Sequence, residues 1–298
     1  MKIAALVSAS SWYLSDLQRA AAGQHEIVPL SFMDLSSWLH DEGEAVTVAN
    51  VAMRDFSAVL VRTMPPGSLE QVVFRMDLLG RLQQSGVIVL NPPKAIEVAV
   101  DKYLSLSRLR TAGLTTPDTL ICQTVEEAMR GFELLGRNVV VKPLFGSEGR
   151  GMTRIDDENI ALRIFKALAQ VNSVIYLQRF IEHVGFDLRV LLLGDKCWTV
   201  RRRNASDWRT NVSRGATMEA FDADEELVAM AREAAVCVGV PFAGVDVLLG
   251  RDGRRYILEV NAVPGWKALS HTLQVDIAEE LISHLKDKAR SDCEQRGR

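Results

Sequence analysis

The chain has 298 residues, 48% of them hydrophobic, and a formal net charge of −3. That length can bury more than one core, so two or three subdomains are expected, and the slightly acidic balance lacks the basic field that a nucleic-acid surface imposes. No apolar run approaches the ~18 residues of a membrane helix, and the opening MKIAALVSAS lacks the long apolar stretch of a signal peptide.

Cys122, Cys197, Cys237 and Cys293 show no CxxC spacing and read as reduced thiols. A cytoplasmic protein with no nucleic-acid or membrane partner is the expectation, with a homo-oligomer left open. The run at 2–7, KIAALV, predicts a buried strand, 14–22 a short helix and 26–30 a second strand. A third strand at 55–62 ends on Arg62. Open α/β sheets present ligand contacts at the carboxyl ends of their strands, which makes Arg62 a substrate-site candidate. From Ser68 the positions Leu69, Val72, Val73, Met76, Leu79 and Leu82 form one helical stripe ending near Gly86, and 87–90 is a fourth strand closed by Asn91-Pro92-Pro93. Strands alternating with helices imply a mostly parallel sheet, so 1–93 reads as an N-terminal α/β domain.

One helix is expected over 94–110, with Lys102 inside it and Gly113 as its cap. Thr124-Val125-Glu126-Glu127 is a capping box opening the next helix. A buried strand at 138–142 then brings Lys142 to its exit. The loop that follows, 144–151, holds Gly146, Ser147, Glu148, Gly149 and Gly151; its glycines let the backbone approach a ligand and turn N–H groups towards an anion. It is neither a P-loop nor a dinucleotide fingerprint, but a lysine four residues ahead of its first glycine makes phosphate the expected ligand. A helix at 156–169 and a strand at 173–180 lead to an antiparallel hairpin, 187–193 and 197–203. Arg201, Arg202, Arg203, Arg209 and Arg214 then crowd into one stretch of an acidic chain, the pattern of a local anion site. Asp222 to Glu225 caps a helix carrying Leu227, Ala231, Ala234 and Val238 and ended by Gly239, a closing helix spans 275–285, and 291–298 is a polar tail.

The stretch PFAGVDVLLGRDGRRYILEVNAVPG reads as a hairpin around Asp252-Gly253, a strong signal for a two-residue turn. Counting outwards from that turn sets Asp246 opposite Glu259. Alternation adds Asn261 to the same face and sends Val245, Val247, Leu258 and Val260 to the other. Opposed carboxylates repel at about 5 Å between Cβ atoms. A hard cation between them reverses the sign of that interaction, and three oxygen-bearing side chains suit Mg²⁺. Two unrelated acids on a solvated face would be the alternative, but acids flanked by Val and Leu in core-like strands are rarely incidental.

Taken together, Lys102, Lys142 with its glycine-rich loop, the arginine-rich stretch and Asp246…Glu259-Val260-Asn261 resemble the ATP-grasp superfamily, and within it the RimK-type α-L-glutamate ligase group. The resemblance covers about residues 60–285. It rests most on Val141-Lys142-Pro143-Leu144, on Arg203…Asp207-Trp208-Arg209-Thr210-Asn211 with Arg214-Gly215, and on Glu259-Val260-Asn261-Ala262-Val263-Pro264-Gly265.

It implies an α/β ATP-grasp fold behind an N-terminal α/β domain, with ATP between subdomains 94–185 and 186–290. By the same resemblance Lys102, Lys142 and the loop with Gly146, Ser147, Gly149 and Gly151 meet the phosphates. Gln178, Arg179, Phe180 and Ile181 border the adenine, and Asp187 holds the ribose. Asp246, Glu259 and Asn261 bind Mg²⁺, for which Mn²⁺ could substitute. Arg203, Arg209 and Asn211 lie near the transferred phosphoryl group, and Arg203 and Arg214 near the substrates, to which Arg62 is assigned from its strand-end position and not by the resemblance. The implied reaction joins the carboxylate of a small-molecule cofactor of the tetrahydromethanopterin type, or of a peptide or protein terminus, to an amino acid, expected to be glutamate, through an acylphosphate. The alternatives are a non-catalytic ATP-binding regulatory protein on the same fold, against which the intact Lys142, Asp246, Glu259 and Asn261 speak, and a ligase using a different amino acid. The chain departs from the group at Arg179, where Glu is usual, and at Glu148, where an amide side chain is common.

Overall fold

The computed structural model describes residues 1–41, 43–146, 149–211 and 215–296. The chain opens with β1 (Lys2–Leu6), α1 (Trp12–Ala21) and β2 (Glu26–Leu30). An antiparallel excursion follows, β3 (Leu35–His40), β4 (Gly43–Val48) and β5 (Val51–Ala52), then β6 (Ala58–Val61), α2 (Leu69–Gln84) and β7 (Ile88–Leu90). Strands β2-β1-β6-β7 form a parallel sheet in that order, as the alternation of elements implies. Both faces are covered, which is why these strands read as unbroken apolar runs. Ile3 and Ala5 pack with α1, while Ala4 and Leu6 pack with Leu78 and Leu79 of α2.

Two expectations change in this part. Leu69 and Val73, placed on the buried stripe of α2, are 80% and 48% exposed; the buried side is Arg75, Met76, Leu78, Leu79 and Leu82. The β3–β5 sheet was not legible in the sequence, because Trp38 and Leu39 are both exposed and the pattern of alternate burial fails there.

The expected helix over 94–110 is two, α3 (Pro93–Val100) and α4 (Lys102–Thr111). Asp101 separates them: its carboxylate accepts from the N–H groups of Tyr103 and Leu104, which starts a new helix and puts Lys102 at its first position. A second sheet comprises β8 (Thr119–Cys122), β9 (Val139–Lys142), β10 (Thr153–Ile155) and β11 (Ile175–Arg179), ordered β10-β9-β11-β8. Helices α5 (Val125–Leu134) and α6 (Glu158–Gln170) bury Phe132 and Phe165 against it.

A third sheet is antiparallel throughout and ordered β14-β13-β12-β15-β16. It contains β12 (His183–Leu193), β13 (Lys196–Arg203), β14 (Thr217–Ala220), β15 (Phe242–Gly250) and β16 (Arg255–Asn261), with α7 (Glu225–Val238) against it and α8 (Lys267–Leu273) and α9 (Ile277–Arg296) after it. Its apolar face, with Leu188, Val190, Val245 and Val247, shares one core with α2, β1 and β6 of the N-terminal sheet. The other face is turned towards the second sheet and carries the polar residues described next.

Candidate active site

Asp246 lies directly opposite Glu259, and Gly244 opposite Asn261. The pairing matches the sequence count, but the path to it differs. Near the turn Leu249 pairs Arg255 and Gly250 N–H donates to Arg254 O, so the loop has three residues, with Gly253 in the left-handed region at φ +79. That shift would bring Asp246 opposite Leu258. An irregularity between Asp246 and Val247 restores the register by leaving Leu258 as an extra residue, a β-bulge. Leu258, expected to face the core, consequently lines the cleft beside Glu259.

Asp246 is 3% exposed. Burial pushes its carboxyl up to about 7, with Glu259 and Asp187 adding to the rise and Arg189 and Arg202 opposing it. For Glu259 burial also favours the neutral acid, but Arg189, the Asn261 amide and Lys142 outweigh it and hold the group below its ordinary range. Arg189 is the cross-strand partner of Asp246; its Nη2 donates to Oδ2 at 3.0 Å, while its Nε lies 2.5 Å from Oδ1 without being aligned for a hydrogen bond. Oδ1 of Asp246 is thus a buried oxygen with no hydrogen-bond partner. The Asn261 amide nitrogen donates to Glu259 Oε1 at 3.0 Å and Gly244 O at 3.2 Å, so its oxygen is the atom it has left to offer a cation.

Across the cleft, β9 ends on Lys142. Its ammonium donates to Gln178 Oε1 at 2.7 Å, and Gln178 is itself fixed by Thr119 Oγ1 at 3.0 Å. Burial pushes Lys142 down to about 8, against the pull of Glu259. Lys102 donates to the carbonyls of Leu144 and Gly146, at 3.2 and 3.0 Å, and burial lowers it too. The glycine-rich loop meets the arginine-rich stretch on the far side. Gly149 lies in the left-handed region at φ +69, which favours glycine, and a Cβ there would come within 2.6 Å of Asn211 Oδ1, so a side chain at 149 would push Asn211 aside. Arg209 is held by Asp207 and reaches Met152 O at 3.4 Å.

One cavity between the second and third sheets brings together Lys102, Lys142, Gly146, Gly149, Asp246 and Glu259. It also takes in Gln178, Arg179, Phe180, Ile181 and Asp187, and at its far rim Arg209 and Asn211. Gly151 and Asn261 sit behind this lining, Gly151 against Pro143. Asp187 is engaged: both carboxylate oxygens accept from Arg202. The Arg179 guanidinium turns to Asp118 at 3.0 Å. Ser147, Glu148 and Arg214 lie outside the described residues.

Two arginines are corrected. Arg203 faces away from the cavity, near Glu219 at 3.6 Å and above the Phe186 ring, because strand alternation sends Arg201 and Arg203 one way and Arg202 the other. Arg202 is the residue in the cleft. It bridges Asp187 and Asp246, and although burial works against its charge those two acids hold it protonated. Arg62 does not line the cavity either. Its guanidinium is enclosed at the junction of the N-terminal and third sheets, 4.3 Å from the Trp266 ring and 4.9 Å from Tyr13, donating to Pro264 O at 2.9 Å. Arg189 was not singled out from the sequence, although strand alternation places it on the face of Asp187.

Lys142 at the end of β9 and Lys102 at the start of α4, facing two acids and an amide on the third sheet across a glycine-rich loop, define the class of ATP-grasp ligases. The model of the RimK-like ATP-grasp domain matches residues 99–285, and the chain belongs to that family. It is 31% identical to the tetrahydromethanopterin:alpha-L-glutamate ligase of Methanosarcina acetivorans, with 86% of this chain and 87% of that protein covered. It is 26% identical to the glutamate–LysW ligase of Sulfolobus acidocaldarius over 80% and 84% of the two chains. Among solved structures, the ATP-grasp ligase PsnB complexed with minimal precursor, Mg and ADP superposes with a TM-score of 0.74 at 20% identity, covering 97% of this chain and 98% of that one, a likeness of fold. The chain is therefore an ATP-dependent carboxylate–amine ligase.

Proposed function

We propose that the chain adds glutamate to the carboxylate of a small molecule or a peptide terminus, with ATP converted to ADP. The observation that carries the reading is the Asp246–Glu259 pair facing Lys142 and Lys102 across one cavity. The donor set fits Mg²⁺, with Mn²⁺ as a substitute: the ligand atoms are oxygens, the acids are opposed, and Asp246 Oδ1 is buried without a hydrogen-bond partner, in an ion pair with Arg189. Asp246, Glu259 and Asn261 would hold the ion, which supplies charge neutralisation for the phosphate oxygens when bound.

The protein's own groups do the rest. Lys142, fixed by Gln178, and Lys102 present ammonium groups to the phosphates, and the backbone of Gly146 and Gly149 closes over them. The strand carrying Gln178, Arg179, Phe180 and Ile181 borders the base, with Asp187 at the ribose end of the cleft. The acceptor carboxylate attacks the γ-phosphorus, giving an acylphosphate and ADP, and the amine of glutamate then displaces phosphate. Arg202, Arg209 and Asn211 lie where charge develops on the transferred group, and the cleft orients the reactants. No nucleophilic side chain is required.

Glutamate is favoured by the activities named for the two relatives, a tetrahydromethanopterin:alpha-L-glutamate ligase and a glutamate–LysW ligase. The test is release of ADP across a panel of carboxylate acceptors with glutamate, aspartate, glutamine or lysine as the amine. Preference for glutamate is expected; preference for lysine or glutamine would overturn that choice of amine.

A further inference from the structure

Asn91, the residue after β7 in the N-terminal sheet, is 1% exposed. Its amide nitrogen donates to Phe242 O at 2.7 Å and to Ala262 O at 2.6 Å, and its oxygen accepts from Phe242 N–H at 2.9 Å. These partners are the first residue of β15 and the residue that follows β16. Along an antiparallel pair, backbone groups point at the partner strand at every second residue. Gly244 pairs Asn261 as the last rung, so the next residue of β15 facing that side is Phe242, where β16 has already ended. The Asn91 side chain stands in for the missing rung and ties the two strands together.

We propose that Asn91 is a positioning residue for the metal site. It sets the separation of β15 and β16 at the end where Asp246, Glu259 and Asn261 converge, and it does so from a domain outside the 99–285 segment that the family model matches. The assignment rests on those three residues holding the metal, as proposed above. Among the described residues, the side-chain hydrogen bonds of Asn91 go to Phe242 on β15 and to Ala262, which follows β16, so its amide is committed to the strands that carry the ligands. Arg62 reinforces the same junction by donating to Pro264 O, two residues beyond Ala262. The site behind the ligands is also tight: a Cβ on Gly244 would fall 2.3 Å from Arg189 Nη1, so a small change in strand spacing reaches the pair formed by Arg189 and Asp246.

Groups that orient metal ligands typically change affinity by about 10–100-fold when removed. The experiment is calorimetric binding of ADP at a series of Mg²⁺ concentrations, with thermal unfolding of each protein, for the wild type, Asn91→Ala, Asn91→Asp and Asp246→Ala. Asn91→Asp is close to isosteric and keeps the acceptor for Phe242 N–H while losing both donors. Both Asn91 variants should need ~10-fold more Mg²⁺ or higher for half of the full effect on ADP affinity, with ADP binding in the absence of Mg²⁺ unchanged. A lowered melting temperature with an unaltered Mg²⁺ requirement would overturn the assignment, because that is what a merely structural amide predicts. Loss of the fold in both variants, read by circular dichroism, would overturn it as well, since the inference requires the site to loosen within a retained fold. Asp246→Ala separates the two levels. If it abolishes the Mg²⁺ effect while the Asn91 variants keep it, only the role of Asn91 falls; if it retains the effect, the metal assignment itself falls.

Discussion

Gly244→Ala adds a single methyl group at a tight place behind Asp246 and Asn261. The new Cβ would lie 2.3 Å from Arg189 Nη1 and 3.0 Å from Pro264 Cβ. A guanidinium at the end of a flexible side chain would ordinarily move aside, but this one is held, with Nη2 at 3.0 Å from Asp246 Oδ2 and Nε at 2.5 Å from Oδ1. The variant must either break that pair or spread the strands. Overpacking of a fitted interior costs about 1–3 kcal/mol, and loss of a charge-assisted hydrogen bond about 1.5–3 kcal/mol. Each relieves the other, so the destabilisation should be about 2–3 kcal/mol rather than the sum. Denaturant unfolding measures it, alongside ADP release, which should fall by about tenfold or more if Asp246 loses its orientation. A double mutant gives the sharper test: with Arg189→Ala the methyl has room, so the two changes should couple by about 1 kcal/mol or more. Strict additivity, or a Gly244→Ala protein with wild-type stability and turnover, would refute the reasoning.

Lys142 gives a prediction with a definite sign in pH. Its proton is lost from the nucleotide-free protein as pH rises through about 8, because burial lowers its pKa, whereas bound phosphate favours the charged form. ADP binding near and above that pH should therefore take up protons, seen by calorimetry in buffers of different ionisation enthalpy; uptake that persists in Lys142→Met would assign it elsewhere. The two neighbouring arginines should separate cleanly. Arg202→Lys, which cannot grip Asp187 with a planar fork while reaching Asp246, should lower kcat/KM by ~10-fold or more, and Arg203→Lys should stay near wild type. Equal effects would contradict the facing of β13.

The parts legible in the sequence were those set by short periods and local chemistry. The parallel N-terminal sheet, Lys142 at a strand exit and the opposition of Asp246 to Glu259 follow from apolar runs, glycine spacing and alternation. The hairpin shows the limit of such counting, since a three-residue loop and the bulge at Leu258 each shift the register and cancel at Glu259, while Leu258 itself changes face. Arg203 was expected at the site from the resemblance, and three consecutive arginines carry no local mark of which one faces the cleft; that is fixed by the pairing of Arg202 with Asp187 on another strand. The position of Arg62 at a strand end was legible, but its enclosure by Tyr13 and Trp266 depends on chain segments far apart in sequence. Asn91 was visible only as part of a turn, and its partners lie 151 and 171 residues away.

The central claim is that an acceptor carboxylate attacks the γ-phosphate of ATP on the way to an amide. With an acceptor that turns over alongside glutamate, heavy oxygen placed in its carboxylate should appear in the released inorganic phosphate, one labelled oxygen per amide formed, seen by phosphorus NMR with ADP as the nucleotide product. Label in AMP, or amide formed with unlabelled phosphate, would contradict it.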